Sequence, residues 1–426
     1  MPNTIRAHAN EILELSLTST DGTVHKVQPL LVDGTVSMSL FNKAIFGSFV
    51  LYDGVGVHEF LPIIGEEKFK LVFRSRGRAV KELTGRILGM RDVEFDDTYS
   101  AVSYSLDFVS DLGFQSLTGK TVAHYTNASP LEALYDIVDN YFDTEKFVEY
   151  SDHQYAKNVE IIYPKVPPFK AIDMILSKTY EGRSNRSSLF FFFEDLDALR
   201  FENIESLMSQ TQIPNYFFDV FETETSGTRD KEFYRIIDYN YKQKFNTQDA
   251  INNGIVDSEL IRFDPITKQV LVTETKFRNV SEDLTPFDSS TFRKKNTADF
   301  LQSLETKNEP DIGRTMTKSY KVLSSFDSFV YKSMAYGKSI AMYESILQTQ
   351  LEITVPGHTG RRPGDVINIS TFPNGTSYND RSNRDRYLSG KFLVLGVRHV
   401  FNQGEITTIL DLSKPSFANR IESVQI

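Results

Sequence analysis

Leu13, Leu15 and Leu17 alternate with Glu14, Ser16 and Thr18, the two-residue period of a strand with one wet face, and Asp21-Gly22 follows as a hairpin turn. Val102, Tyr104, Leu106 and Phe108 repeat the pattern against Ser103, Ser105 and Asp107. Between these two stretches, residues 37–73 predict ladder segments joined by a turn-rich loop. Ser48-Phe49-Val50-Leu51-Tyr52 is an apolar, aromatic and β-branched run that stops at Asp53-Gly54, a dipeptide suited to a tight turn with positive φ. Past Pro62 and Gly65 the chain re-enters a strand at Lys68-Phe69-Lys70-Leu71-Val72-Phe73. Short strands separated by Asp-Gly and Gly turns predict an antiparallel barrel or sandwich from about residue 5 to about residue 112.

After Gly113 the period lengthens. Ser129-Pro130-Leu131-Glu132 has the form of a capping box with proline at the first helical position, and Leu131, Leu134, Tyr135, Val138 and Tyr141 fall on one helical stripe. A second helix is expected from near Pro168, with Phe169, Ile172, Ile175 and Leu176 inward and Glu181-Gly182 as a left-handed stop. Residues 188–195 are apolar almost throughout, a strand covered on both faces, with 197–201 as its hairpin mate. In the next stretch, 233–241 and 269–277 read as strands, 280–314 as a polar arm, and 333–350 as a helix with Ile340, Tyr343 and Leu347 on one stripe. The chain then returns to β structure. Leu351, Ile353 and Val355 alternate, Pro356-Gly357 and Arg362-Pro363-Gly364-Asp365 turn, and 366–369, 391–401 and 405–412 follow as strands, the last two joined at Asn402-Gln403-Gly404.

The expected class is mainly β with α+β parts: two small antiparallel β-barrel domains flanking an α/β insert, plus a long loop or arm. The expected boundaries are 1–112 for the first barrel, 113–215 for the insert, 216–345 for mixed strands, arm and helix, and 346–426 for the second barrel with a C-terminal tail. No residue-by-residue repeat links the two barrels, but their shared style of strands and turns permits a structural duplication.

At 426 residues the chain can bury several cores. The absence of cysteine removes disulfides, thiolate metal sites and cysteine nucleophiles together, and fits assembly in a reducing cytoplasm. A formal charge of -10 argues against a main surface that grips the nucleic acid backbone, although an acidic surface can line a passage that DNA traverses without sticking. No apolar run approaches the ~20 residues of a spanning helix, and Met1-Pro2-Asn3-Thr4-Ile5-Arg6 lacks the apolar centre of a signal peptide, so a soluble, unprocessed chain without membrane insertion is expected.

Candidate chemistry is sparse. Gly119-Lys120-Thr121 ends like a phosphate-binding loop, but that motif needs four residues between its glycines and here five separate Gly113 from Gly119. Gly54-Val55-Gly56 opens like a dinucleotide fingerprint, yet Glu59 stands at the third glycine position and no βαβ context follows. His58-Glu59 has no second histidine at the helical offset, and His399 sits alone in a strand next to Arg398. Glu194, Asp195 and Asp197 crowd carboxylates beside the phenylalanine run, which suits a metal or a glycosidase acid pair but more simply solvates the exposed end of a hairpin. From His358 to His399 the chain is locally basic, with Arg361, Arg362, Arg381, Arg384, Arg386, Lys391 and Arg398 against Asp365, Asp380 and Asp385. Such an island marks a solvated loop, an acidic partner or contact between subunits better than DNA reading. No catalytic, cofactor-binding or metal site assembles from these residues, and no enzyme activity is expected.

The order within 37–73, an LFNKAIFGSF run, a YDG turn and an LPIIGEEKFKLVF return, resembles the amino-terminal barrel of the central baseplate-hub proteins of contractile-tailed bacteriophages, the T-even-like hub family. Residues 351–413 are similar to the last barrel of the same family, through Pro363-Gly364-Asp365-Val366-Ile367, Tyr387-Leu388-Ser389-Gly390-Lys391-Phe392-Leu393-Val394, Val397-Arg398-His399-Val400-Phe401 and Thr407-Thr408-Ile409-Leu410-Asp411-Leu412. The resemblance covers roughly a quarter of the chain and neither stretch is a catalytic signature. It implies a homotrimer in which each subunit contributes two barrels to a ring of near-sixfold symmetry. Such a ring adapts the sixfold tail tube to a threefold central spike and lets DNA pass without specific binding. It further implies a place in the virion after assembly in the host cytoplasm, with tail tube, central spike, baseplate wedge and tape measure proteins as partners. If the ring exists, carboxylates on its inner wall would repel DNA. Two alternatives remain open: a β-rich cell-wall or glycan hydrolase using Asp195 or Glu194, and the hub or spike base of a related contractile injection or secretion system.

Overall fold

Strands from both ends of the chain meet in one 13-stranded sheet. The computed structural model describes residues 11–61, 63–75, 77–97, 100–146, 148–151, 153–156, 158–183, 187–211, 213–218, 233–244, 257–263, 268–276, 280, 319–324, 329–347, 349–370, 389–402 and 405–416. The first β region supplies β1 (Glu11–Thr18), β2 (Val24–Lys26), β3 (Leu31–Ser39), β4 (Phe46–Asp53), the short helix α1 (Val57–Phe60), β5 (Lys68–Arg74), β6 (Lys81–Phe95) and β7 (Val102–Ser110), followed by α2 (Asp111–Thr118). The middle supplies β8 (His124–Ala128), α3 (Pro130–Tyr141), β9 (Val148–Tyr150), β10 (Val159–Ile162), α4 (Pro168–Lys178), β11 (Phe190–Glu194), β12 (Leu199–Asn203), α5 (Ile204–Met208) and β13 (Asn215–Phe217). Next come β14 (Asp238–Lys244), β15 (Asp257–Phe263), β16 (Val270–Lys276), β17 (Ser319–Ser324) and α6 (Phe329–Leu347). The last part holds β18 (Thr349–Pro356), β19 (Val366–Ser370), β20 (Gly390–Asn402) and β21 (Glu405–Ser413).

The main sheet runs β14-β18-β21-β20-β3-β4-β7-β6-β5-β1-β2, with β19 beside β20 and β13 beside β19. The mainly β class with α+β parts is therefore as expected. The barrel detail needs correction, because no ladder among the described residues closes on itself. Instead β3 pairs antiparallel with β20, from Asp33 opposite Asn402 to Ser39 opposite Gly396. The 13-residue β20 changes partner along its length: 390–393 pair with β19 and 396–402 with β3. Hydrogen-bonding edges that could seal each β region on itself are spent joining the two. One apolar cluster accordingly holds Leu15, Phe69 and Leu106 together with Leu351, Ile353 and Leu410.

Local departures have local causes. A register shift between Ile12 and Glu14 rotates Leu13 out of the alternation, leaving it 40% exposed while Leu15 and Leu17 are buried. The positive φ expected at Asp53-Gly54 falls at Gly56 (φ 78), because the Asp53 carboxylate accepts the amides of Val55, Gly56 and His58 and so organises the start of α1.

In the insert, the capping box of α3 forms as expected: the Glu132 amide donates to Ser129 Oγ at 3.1 Å and the Ser129 amide to Glu132 Oε2 at 2.9 Å. Its buried side is Ala133, Leu134, Ile137 and Val138, flanked by the half-buried Leu131, Tyr135 and Tyr141. Helix α4 stops at Lys178 with Thr179 extended; Gly182 is not a left-handed cap but donates its amide to the Gln154 carbonyl at 2.5 Å. The β11–β12 hairpin forms, and β11 is covered on both faces: Phe190 and Phe192 enter the core of the α/β insert, while Phe191 and Phe193 join Leu40, Val366, Leu393 and Met342. Helix α6 ends before Thr349 and buries Ala341, Met342, Ser345 and Ile346, whereas Ile340 and Leu347 are half-buried and Tyr343 is exposed. Of the arm expected over 280–314 only the buried Val280 is described, and Gln403-Gly404 also lie outside the described residues.

Candidate functional site

The carboxylates beside the phenylalanine run are not solvated. Glu194 is 2% exposed and Asp195 fully buried, which corrects the reading of both as charges at a wet hairpin end; Asp197 alone remains half exposed and pairs with Lys81. Glu194 Oε2 accepts from the Ser110 hydroxyl at 2.5 Å and the Ile45 amide at 3.0 Å, and Oε1 from Lys146 Nζ at 2.7 Å. Asp195 Oδ1 accepts the amides of Asp197 and Ala198, both at 2.7 Å, and Oδ2 accepts Arg200 Nε at 2.5 Å. Every carboxylate oxygen of the pair is committed inside the protein. The arrangement ties β7 and the loop before β4 to the insert, and leaves no oxygen positioned to reach a glycosidic bond.

The basic island also dissolves into distinct roles. Arg361 is buried, not solvated: its guanidinium donates to the Tyr216 hydroxyl at 2.8 Å, to the Pro356 carbonyl at 2.6 Å and to the Phe233 carbonyl. Arg362 pairs with Asp365 at 3.4 Å across the turn at Gly364 (φ 86). Arg398 and Lys391 are half-buried on β20, while Arg381, Arg384, Arg386, Asp380 and Asp385 lie outside the described residues. Gly119 terminates α2 and does not open a phosphate loop, and Gly54-Val55-Gly56 leads into the four-residue α1. The His58 ring pairs with the buried Asp53 at 3.0 Å, and His399 is buried in β20 against Thr408. Among the described residues no group of three or more histidine or carboxylate side chains is arranged to hold a metal ion.

The most extended surface feature is one face of the central eight strands, β14 to β6. Cross-strand register places Thr35, Ser48 and Asp107 in one row, Asp33, Val50, Ser105 and Arg91 in a second, and Asp238, Thr354, Ile409, Arg398 and Ser37 in a third. The opposite sides of these strands carry Val36, Phe49, Leu106, Ile353, Val397 and Leu410 into the core. On the outer face, among the described residues, Asp33, Glu94, Asp107, Asp238, Glu352, Glu405 and Asp411 outnumber Arg86, Arg91, Lys242 and Arg398. Three of the acids are paired locally: Asp107 with Arg91 at 2.8 Å, and Glu352 and Asp411 with the one charge of Lys242 at 2.7 and 2.5 Å. The rest of the wall mixes serine, threonine and asparagine with apolar side chains such as Phe46, Val50, Val400 and Ile409. The sequence reading identified β4, β7, β14, β18, β20 and β21 as strands but neither β3 nor β6, nor that the wet faces make one wall, since that depends on the β3–β20 pairing.

The two ends of this eight-strand wall differ. Strand β14 terminates the path of the sheet. At the other end β6 outruns its neighbour, because the ladder to β5 stops at Lys68 opposite Arg86 while β6 continues along β7 to Phe95. The overrunning part exposes Leu88, Met90, Val93 and Phe95, and in α1 Phe60 is 76% exposed. The His58 and Phe95 rings lie 6.3 Å apart, which brings α1 beside the end of β6.

No known family and no curated protein matches the chain by sequence. Solved structures do match it by shape. A tail protein from Neisseria meningitidis MC58 superposes with a TM-score of 0.56 at 14% identity over 94% of this chain and 96% of that one. The 43 kDa tail protein of prophage MuSo2 from Shewanella oneidensis gives 0.55 at 9% identity over 94% and 98%. At these identities the likeness is one of fold, and it extends over nearly the whole length of each chain.

Proposed function

We propose that the chain is the structural hub of a phage tail baseplate, forming a trimeric ring that joins a sixfold tail tube to a threefold central spike. The observation that carries this reading is the eight-strand wall, formed by two β regions sharing one sheet and ending in two dissimilar edges. Edge-to-edge joining of β6 in one copy to β14 in the next is a head-to-tail contact, and such a contact closes into a ring when its rotation suits. With 1–112 and 346–426 as the wall-building units, three copies present six similar modules, while 113–215 and 216–345 stand aside as contact surface for wedge, spike and tape measure proteins.

The fold shared with tail proteins over almost the full chain supports the same reading. So does the hydroxyl-rich face with its excess of carboxylates: as an inner wall it would repel the DNA backbone and let it slide through. The hydrolase alternative is opposed by the geometry of Glu194 and Asp195, whose oxygens are all held by protein donors. The place of action is the virion, after assembly in the host cytoplasm.

The mass of the purified protein in solution tests the proposal. A species of about three times the 48.6 kDa chain, formed alone or on adding the spike, is expected. A monomer that persists at all concentrations and with the spike present overturns it.

A further inference from the structure

The two β regions also touch away from the β3–β20 ladder. The segment between β18 and β19 crosses to the residue after β5, where the Ser75 and Thr359 hydroxyls lie 3.0 Å apart and the Thr359 amide donates to Ser75 Oγ at 3.0 Å. Next to Thr359 in sequence and space are two imidazoles and a guanidinium, those of His358, His399 and Arg361, all buried.

Their hydrogen bonds define their protonation. His358 Nδ1 accepts the Gly360 amide at 3.1 Å, so the ring's own hydrogen is on Nε2. The Thr408 hydroxyl accepts the His358 amide at 3.3 Å and shares a hydrogen bond of 3.0 Å with His399 Nδ1. Neither Nε2 finds a hydrogen-bond partner among the described residues. Among the described residues Arg361 donates to neutral oxygens, those of Tyr216, Pro356 and Phe233. The remaining surroundings are aromatic: Phe73 stands 6.0 Å from the His399 ring, and Phe233 and Tyr234 stand 5.4 and 6.4 Å from His358. Among the described residues, the fixed charges acting on the two neutral rings are Arg361 on both and Arg78 on His358, and a proton on His358 would add to them at His399.

We propose that this cluster is an acid-released clamp: proton uptake by His358 and His399 frees the 356–365 segment from Ser75 while the β3–β20 ladder holds, turning a fixed junction between the β regions into a hinge. A second proton on His358 goes to Nδ1, where it replaces an acceptor by a donor facing the Gly360 amide and breaks that bond. A proton on His399 makes Nδ1 a donor to the Thr408 hydroxyl, which must then turn its own hydrogen elsewhere, and leaves a charged ring whose Nε2 has no partner among the described residues. Each new charge also arrives beside the Arg361 guanidinium, which has no carboxylate among its hydrogen-bond partners in the described residues.

Burial first, and the Arg361 charge second, hold both rings down to about 3 in the closed state, against an ordinary 6.5. The open state therefore binds more protons, and opening becomes more favourable as pH falls below 6.5, until the closed rings themselves titrate near 3. Between about pH 7.5 and about pH 5 this amounts to roughly 30-fold per imidazole in the opening equilibrium. The inference stands whether or not the chain forms a ring.

Hydrogen–deuterium exchange of the full chain, corrected for intrinsic rates, tests it across that pH range. Peptides covering 73–75 and 356–365 are expected to lose protection by more than about tenfold towards pH 5, while peptides from β3 and from 396–402 keep theirs. The double variant His358→Gln/His399→Gln, uncharged throughout, should lose the acid response, and either single variant should retain about half of it on a logarithmic scale. Unchanged protection in the wild-type protein down to about pH 5, or an acid response undiminished in the single variants, overturns the clamp. The wild-type profile decides even if the double variant fails to fold.

Discussion

The Ser110 hydroxyl lies 2.5 Å from Glu194 Oε2, fastening the end of β7 to the end of β11. Because the same carboxylate holds the Ile45 amide and Lys146, it acts as a rivet between the first β region and the insert. Replacing it by alanine strands an amide and a lysine ammonium that no longer has its carboxylate. Glu194→Ala is expected to cost roughly 3–5 kcal/mol, read as a lower midpoint in chemical denaturation. An unaltered midpoint would show that the rivet carries no stability.

The overrunning end of β6 should matter for assembly and little for folding. Met90→Lys and Val93→Lys together place charges on a surface already exposed, so the unfolding free energy should stay within about 0.5 kcal/mol per site. Self-association, followed by sedimentation velocity, should fall sharply. A trimer that survives both lysines would remove β6 from the proposed subunit contact.

Gly47 sits where β3, β4 and β7 press together. A Cβ added there would meet the Thr35 carbonyl oxygen at 1.9 Å and the Phe108 ring at 2.7 Å, and backbone oxygen cannot swing aside as a side chain can. Gly47→Ala should cost at least about 1–3 kcal/mol in urea unfolding. Gly89, with nothing near its would-be Cβ, serves as the control and should tolerate alanine.

Ser129→Ala removes one half of the α3 capping box and should cost about 1 kcal/mol, whereas Ser129→Asp, which keeps an acceptor at the cap, should restore most of the loss. Thermal unfolding of the two variants side by side distinguishes a lost cap from a general effect of altering the loop.

What the sequence disclosed follows the range of the interactions involved. Strands β1, β4, β7 and β18 and helix α3 announce themselves by local period and cap, because each is set by residues a few positions apart. Helix α2 escaped notice: Gly113 near its start weakens the helical signal, yet that glycine is there because Val109 Cγ2 would lie 2.2 Å from a Cβ. Its available cue was Ser110 as N-cap with Asp111 in the first turn.

The carboxylates were misjudged for a different reason. Glu194 finds Ser110 and Lys146 at separations of 84 and 48 residues, which no window reveals. The hint was the unbroken apolar run before it, which leaves no wet face from which a charge could reach water. Arg361 and Arg362 are adjacent and chemically alike, and only the fold sends the first into the interior and keeps the second at a turn. The pairing of β3 with β20 is the longest-range fact of all, and it is what merges two expected barrels into one wall.

Strands β14 and β18 are hydrogen-bonded neighbours although residues 245–348 separate them in the chain. Within that interval β15, β16 and β17 form a small sheet of their own, while α6 returns to pack Met342 and Ile346 against Val366 and Leu393. Because those three strands pair only with one another among the described residues, that small sheet can be altered without shifting any rung of the wall. In a hub of the kind proposed, docking surfaces carried there would vary while the conduit keeps its bore.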